Sequence, residues 1–323
     1  MASPTVTAPD IPRPHARSLL ERLRGGDTIT YLVTLICAIA ILAIVVLIVG
    51  ELWMHSQPTI KKFGFGFLVS SEWNPNSGQF GALPFIYGTC VTSALALVVS
   101  IPIGVFAAIF LAEMAPPGIS TVLTFLIELL AAVPSVIYGL MGIFVLVPLI
   151  REYLAPILSS AFGYLPVFSG PFYGVSFLSA GLVLAVMVVP FIISVSREVL
   201  LAVPVDQREA ALALGATKWE TTWQVVLPNA STGIIGSVFL ALARALGETM
   251  AVTMVVGNTP NISASLFSPG YSIAAVIANE FSEATGDLYI SSLIFLGLVL
   301  FGLTIVINGL ARILIMATTQ RRA

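Results

Sequence analysis

Charge is scarce in this chain: only 9% of its 323 residues are Asp, Glu, Lys or Arg, with two histidines and two cysteines. Each shortage excludes something. Cys37 and Cys90 both fall in apolar stretches, so neither a disulfide framework nor a metal site is indicated, and both are expected to be packing residues. The string G-x-x-x-x-G-K-[ST] is absent, so the chain carries no phosphate cradle of the common nucleotide-binding kind. There is no H-E-x-x-H, and no aspartate lies inside an apolar run, which removes intramembrane metalloprotease and aspartyl protease chemistry. A net charge of −2, with the basic residues split between loops, leaves no nucleic-acid footprint. The chain is read as a non-enzyme with no cofactor of its own.

Apolar residues are what it has in excess. They make up 58% of the chain and give a mean hydropathy of +1.02, far outside the range of soluble domains. Apolar runs occur near 29–51, 87–111, 121–147, 174–196, 231–257 and 289–316. Each is long enough to cross ~30 Å of hydrocarbon at ~1.5 Å per residue, which predicts an all-α integral membrane protein with six transmembrane helices.

The basic residues orient it. Arg13, Arg17, Arg22, Arg24, Arg197, Arg208, Lys218, Arg312, Arg321 and Arg322 share one side, while Lys61, Lys62 and Arg151 lie on the other. Cationic loops stay cytoplasmic, so both termini and the connection around Glu209 are expected there. The N-terminal stretch is rich in Pro, Ala and Arg, and the following run is too long for a cleaved signal. The expected organisation is a tail over 1–28, a six-span domain over 29–316 containing a cytoplasmic loop over 199–229, and a short tail over 317–323.

Glu209 to Pro228 is a long polar interruption. Asp206 and Glu209 have the spacing of a capping box, which predicts a helix from near Gln207. Gly215 follows a run of good helix formers as a left-handed stop. Thr217 and Glu220 repeat the box, Trp219 and Trp223 share one face of a second short helix, and Pro228 is expected to close it. A solvated linker would need none of this punctuation.

Three ionisable side chains lie well inside the apolar runs: Arg244, Glu248 and Glu128. Each costs on the order of 2.5–3.5 kcal/mol at a helix centre, so it should face a bundle interior or water. Arg244 and Glu248 are one helical turn apart and are expected to pair, on a stripe with Ser237, Ala241, Gly247 and Ala251. The pair is either a structural salt bridge or part of an anion path, in which the guanidinium fork meets an oxyanion. Glu128 is either a second partner of Arg244 or a packing acid kept neutral by burial. Outside the spans, Trp73, Asn74 and Pro75 describe an ordered turn with an aromatic anchor. The segment 259–287 has no basic residue and an apolar stretch, Ile273 to Ala278, that suggests a short surface or re-entrant helix.

Glu209, Ala210, Ala211, Gly215, Val225, Leu227 and Pro228 resemble the EAA loop of ABC importer permeases, with Val225 where that family usually has isoleucine. The stretch Ala243 to Asn258 and the loop Ser70 to Thr89 resemble the phosphate-specific permeases of the PstC type within it. The resemblance implies a type I importer permease (MetI-like) fold in a bacterial inner membrane. Glu209, Ala210, Ala211, Gly215, Trp219, Leu227 and Pro228 would then couple to a separate ATP-binding subunit, a homodimer that holds the ATP. It further implies a second homologous permease, an extracytoplasmic phosphate-binding protein docking near Trp73, Asn74 and Pro75, and a translocation role for Arg244 and Glu248. Membrane lipid would surround the spans. Another oxyanion, sulfate or molybdate, fits the same loop. A proton-coupled secondary carrier is the remaining alternative, and it leaves the helical hairpin unexplained.

Overall fold

The computed structural model describes residues 27–320, and among these all regular structure is helical apart from one antiparallel bridge between Asn74 and Gln79. The chain divides into two units after Glu51. The first contains most of the helix Asp27–His55, whose residues 31–48 are exposed on every side, as suits a span whose neighbours are lipid. The expected 1–28 tail lies outside the described residues, except that Asp27 and Thr28 already belong to this helix. Cys37 is exposed on it, so only the half-buried Cys90 packs.

Among the described residues six helices are long and apolar enough to cross a membrane: Thr30–His55, Leu83–Met114, Ser135–Phe162, Phe177–Leu201, Lys218–Leu246 and Asp287–Leu310. Two differ from the apolar runs that predict them. The run 121–147 is cut at Val133–Pro134 into a separate helix, Pro117–Ala131, and the start of the third span, because Pro134 has no amide to donate and forces Val133 away from helical geometry. The fifth run is cut at Gly247, so its last part is a separate short helix, Met250–Val255. In exchange the fifth span begins much earlier, at Lys218. The sixth helix continues to Gln320, so the expected tail over 317–323 is helical for its first four residues.

In the second unit the fourth span is the centre. Two thirds (67%) of its hydrophobic window is buried, against 33% for the second span, its main partner. The two run side by side and meet through glycine. A Cβ at Gly104 would stand 2.7 Å from Ile192, and one at Gly181 would stand 2.5 Å from Leu95. Without side chains at these positions the backbones approach closely, which is how helices gain contact energy where lipid offers no hydrophobic drive. The third span joins through Gly139 and Gly142, against Met254 and Val183.

The start of the fourth span is buried, and its first amides need acceptors. Ser176 caps it, its Oγ accepting from Ser179 N at 3.1 Å. Phe177 N and Leu178 N donate to Ser268 O and Leu266 O at 3.1 and 2.9 Å. The segment 257–272 thereby closes one end of the bundle. It leads into the helix Ile273–Glu280, which is buried at Ile273, Ala275 and Val276 rather than lying on the surface. Ile273 N donates to Thr89 Oγ1 at 2.9 Å, tying this helix to the second span.

Gly88 is the tightest of these contacts, since a Cβ there would lie 2.1 Å from the Tyr271 carbonyl oxygen. Gly88→Ala should therefore lower the thermal midpoint of the detergent-solubilised protein by several degrees, an overpacking cost of about 1–3 kcal/mol. Gly302→Ala, which meets nothing within 4 Å, should leave it unchanged when both are followed by thermal unfolding.

Candidate functional site

Between the fourth and fifth spans the chain folds into a helical hairpin. Its first helix, Val205–Ala213, begins two residues earlier than the capping-box spacing suggests. Pro204 takes the N-cap, so Asp206 and Glu209 make no capping box. Asp206 instead sits in the first turn, where a carboxylate favours the positive end of the helix. Gly215 turns the chain at φ +91°, a backbone state that side chains resist. The second box does form: Thr217 Oγ1 accepts from Glu220 N at 3.2 Å, and Glu220 Oε2 accepts from Thr217 N at 2.8 Å.

Pro228 does not close a second short helix. A wide π-helical turn, Thr222–Val226, precedes it and absorbs its missing donor, and the helix runs on as the fifth span. The second arm of the hairpin is thus continuous with a membrane helix. Asn229 Nδ2 bridges its two arms, donating to Gln207 Oε1 at 2.8 Å and Val225 O at 2.9 Å.

One face of the hairpin is bare. Leu214 is 90% exposed and Trp219 52% exposed, with Trp223 set edge-on to Trp219 at 5.4 Å. Glu209, Ala210, Gly215 and Pro228 are exposed too, while Ala211 and Leu227 are half-buried. The opposite face carries a residue that sequence reasoning counts only as a topological charge. Arg208 donates to both oxygens of Glu113, at 2.9 and 3.4 Å, and the two side chains are only 16% and 11% exposed. The partners are far apart in sequence; the one hint is an acid standing at the end of an apolar run.

Arg244 and Glu248 are not paired. The fifth span ends at Leu246, and Gly247 turns the chain, so four-residue spacing no longer places both on one face. Arg244 is exposed, its guanidinium 5.8 Å from the Phe191 ring centroid. Glu248 Oε1 instead accepts from Ala251 N at 3.2 Å, holding the start of Met250–Val255. The small-residue stripe splits in the same way. Ser237 and Ala241 are buried against the fourth span, with Ser237 and Ser196 hydroxyls 2.8 Å apart, and Ala251 packs under Gly139. Glu128 is exposed on the helix Pro117–Ala131 and makes no contact with Arg244, so it is not a buried packing acid within this chain.

On the opposite side of the bundle Trp73 points inward. Its Nε1 donates to Glu280 Oε2 at 2.8 Å, the same oxygen that accepts from the Tyr289 hydroxyl at 2.6 Å. Phe80 and Phe85 meet its ring edge-on at 5.0 and 4.8 Å. Nearby, burial pushes the Tyr271 phenol up to about 12, opposed by the hydrogen bond from Asn279 and reinforced by Glu280. Asn74 caps a tight turn beginning at Pro75, its Oδ1 accepting from Asn76 N and Ser77 N at 3.1 and 3.3 Å. Of the three, Asn74 and Pro75 are exposed, as are their neighbours Glu72, Asn76 and Ser77, while Trp73 fixes the loop to the bundle.

Six membrane-length helices, with an exposed hairpin continuous with the fifth, define an importer permease of the ABC class. Solved chains share the fold. One, from the inward-facing MetNI methionine ABC transporter, aligns with TM-score 0.52 and 16% identity over 72% of this chain and 95% of its own. Another, from a bacterial ABC transporter involved in import of the acidic polysaccharide alginate, aligns with TM-score 0.54 and 18% identity over 91% and 97%. The family described as "Binding-protein-dependent transport system inner membrane component" matches residues 100–319. The "Phosphate transport system permease protein PstC" of Mesorhizobium japonicum is 45% identical over 94% of both chains, and that of Pasteurella multocida 47% identical over 88% and 90%. A "Probable phosphate transport system permease protein PstC" of Methanocaldococcus jannaschii is 35% identical over 86% and 90%. The chain belongs to the PstC permeases of this family, multi-pass proteins of the inner membrane.

Thr217→Ala should fray the base of the fifth span. Loss of the box costs about 1 kcal/mol, so amide exchange over Lys218–Thr221 should quicken about fivefold by mass spectrometry while the fourth span is unaffected.

Proposed function

We propose that this chain forms half of the membrane path of an ATP-driven phosphate importer. The observation that carries the cargo is 45% identity, over 94% of both chains, with a phosphate transport permease. ATP is bound and hydrolysed by a separate subunit, a homodimer, against which the bare face of the hairpin docks through Glu209, Ala210, Ala211, Gly215, Trp219, Leu227 and Pro228. A short amphipathic helix laid in a groove suits that shape. The hairpin and both termini are cytoplasmic, as the distribution of basic residues supports.

Arg244 and Glu128 are exposed within otherwise apolar helices, which supports a second, homologous permease facing them. Phosphate descends between the two subunits. The Arg244 guanidinium, resting over Phe191 and unpaired with any carboxylate among the described residues, meets the anion as a planar fork of donors. Glu248 holds the turn that carries the chain past Arg244. A phosphate-binding protein delivers cargo to the other side, against the exposed Asn74 and Pro75. Closure of the ATPase pushes the hairpin, and the fifth span, rigid with it, carries Arg244 between outward and inward access.

Vesicle uptake with purified partners tests this. Arg244→Gln should leave the complex assembled and lower phosphate uptake by about tenfold to hundredfold, the loss of a charge-assisted contact of about 1.5–3 kcal/mol. Unchanged uptake would return Arg244 to packing. Excess sulfate or molybdate should not compete; equal competition would assign a different oxyanion. Gly215→Pro should abolish ATP-dependent uptake, because proline cannot adopt φ +91°.

A further inference from the structure

The most heavily bonded side chain of the hairpin faces away from the proposed ATPase. Arg208 leaves the helix Val205–Ala213 on its inner side, and one guanidinium reaches three structural elements. Nε and Nη2 donate to Glu113 at 3.4 and 2.9 Å, on the π-helical turn Phe110–Met114 that ends the second span. Nη2 also donates to Leu200 O at 2.7 Å, in the last turn of the fourth span, and Nη1 donates to Val203 O just beyond it. Both carbonyls lie at the end of the helix, where Leu200 O also accepts from Val203 N at 3.3 Å. Glu113 is itself held: Ser120 Oγ donates to Leu111 O at 2.8 Å and Ala115 N to Phe110 O at 2.8 Å, fixing the turn from both sides.

We propose that Arg208 and Glu113 are positioning residues forming a strut that makes the second and fourth spans move with the hairpin. This rests on the reading of the hairpin as the ATPase dock. The fifth span needs no such device, being one continuous helix with the hairpin's second arm from Lys218. The second and fourth spans have no comparable rigid link. The connection between the fourth span and the hairpin, Ala202–Pro204, is a bend that could flex, and the second span is distant in sequence. The guanidinium supplies what the chain path does not. A planar fork meeting two carboxylate oxygens and two carbonyls resists both translation and rotation, whereas a lysine ammonium, a point charge, would permit pivoting. Because the second and fourth spans pack glycine against side chain along their length, holding their ends moves them as one body.

The experiment measures phosphate uptake and ATP hydrolysis on the same proteoliposomes, containing this chain, its second permease and the ATPase, with the phosphate-binding protein added. Arg208→Met should retain the ATPase on co-purification and continue to hydrolyse ATP, while ATP consumed per phosphate imported rises about fivefold or more, within the range by which linkage mutations alter coupling. Glu113→Gln, which keeps shape and loses charge, should shift the ratio the same way, and Arg208→Lys should fall between. A packing role alone would lower both activities together with the amount of assembled complex. A wild-type ratio in assembled Arg208→Met overturns the strut; should that variant fail to assemble, the ratio in Glu113→Gln decides. Leu214→Asp on the bare face separates the two readings. If it leaves the ATPase bound, the dock is elsewhere and the strut falls with it. If it releases the ATPase while Arg208→Met and Glu113→Gln keep the wild-type ratio, the dock stands and the strut alone is wrong.

Discussion

Close approach of helix backbones in the absence of a hydrophobic drive is the constraint on which the rest of this molecule depends. In hydrocarbon, a leucine gains little by leaving lipid for protein, so the spans must hold together by contact and by polar bonds. Gly104 and Gly181 let the second and fourth spans touch through their backbones, and Gly88 brings the second span against the carbonyl of Tyr271. The fourth span thereby becomes the buried axis. The helix Pro117–Ala131 remains largely exposed, and with it Glu128.

This distribution also decides where polar groups can be spent. The buried start of the fourth span takes its acceptors from the segment 257–272, and the far end gives its carbonyls to Arg208. Hydroxyls from Ser196 and Ser237 satisfy each other between the fourth and fifth spans. Arg244, unpaired with any carboxylate among the described residues, stands exposed on the fifth span where this chain alone does not cover it.

Much of the architecture was legible in the sequence because it is written locally. Apolar run length specifies a span, and the Thr217–Glu220 box and Gly215 are short-range chemistry that the structure reproduces. The errors share one cause, which is that periodicity assumes an uninterrupted helix. Pro134 and Gly247 each interrupt one, and the second break separates Arg244 from Glu248. Pro228, expected as a stop, is tolerated because a π-helical turn precedes it, and nothing in composition announces such a turn. Arg208 with Glu113 joins positions that only the packed fold brings together. The inward set of Trp73 likewise depends on Glu280, supplied by a helix two hundred residues away.

The single helix from Lys218 to Leu246 makes angular phase a property of residue count. Trp219 and Arg244 are separated by about 37 Å of axis at ~1.5 Å per residue, and each residue advances the helix by about 100°. The π-helical turn at Thr222–Val226 inserts wider winding into that shaft, and so sets the direction in which the guanidinium points relative to the hairpin. A chain shorter by one residue anywhere between them would turn its arginine by about 100° relative to the hairpin, with every local motif intact. Length between these two motifs is therefore as much a part of the site as their composition.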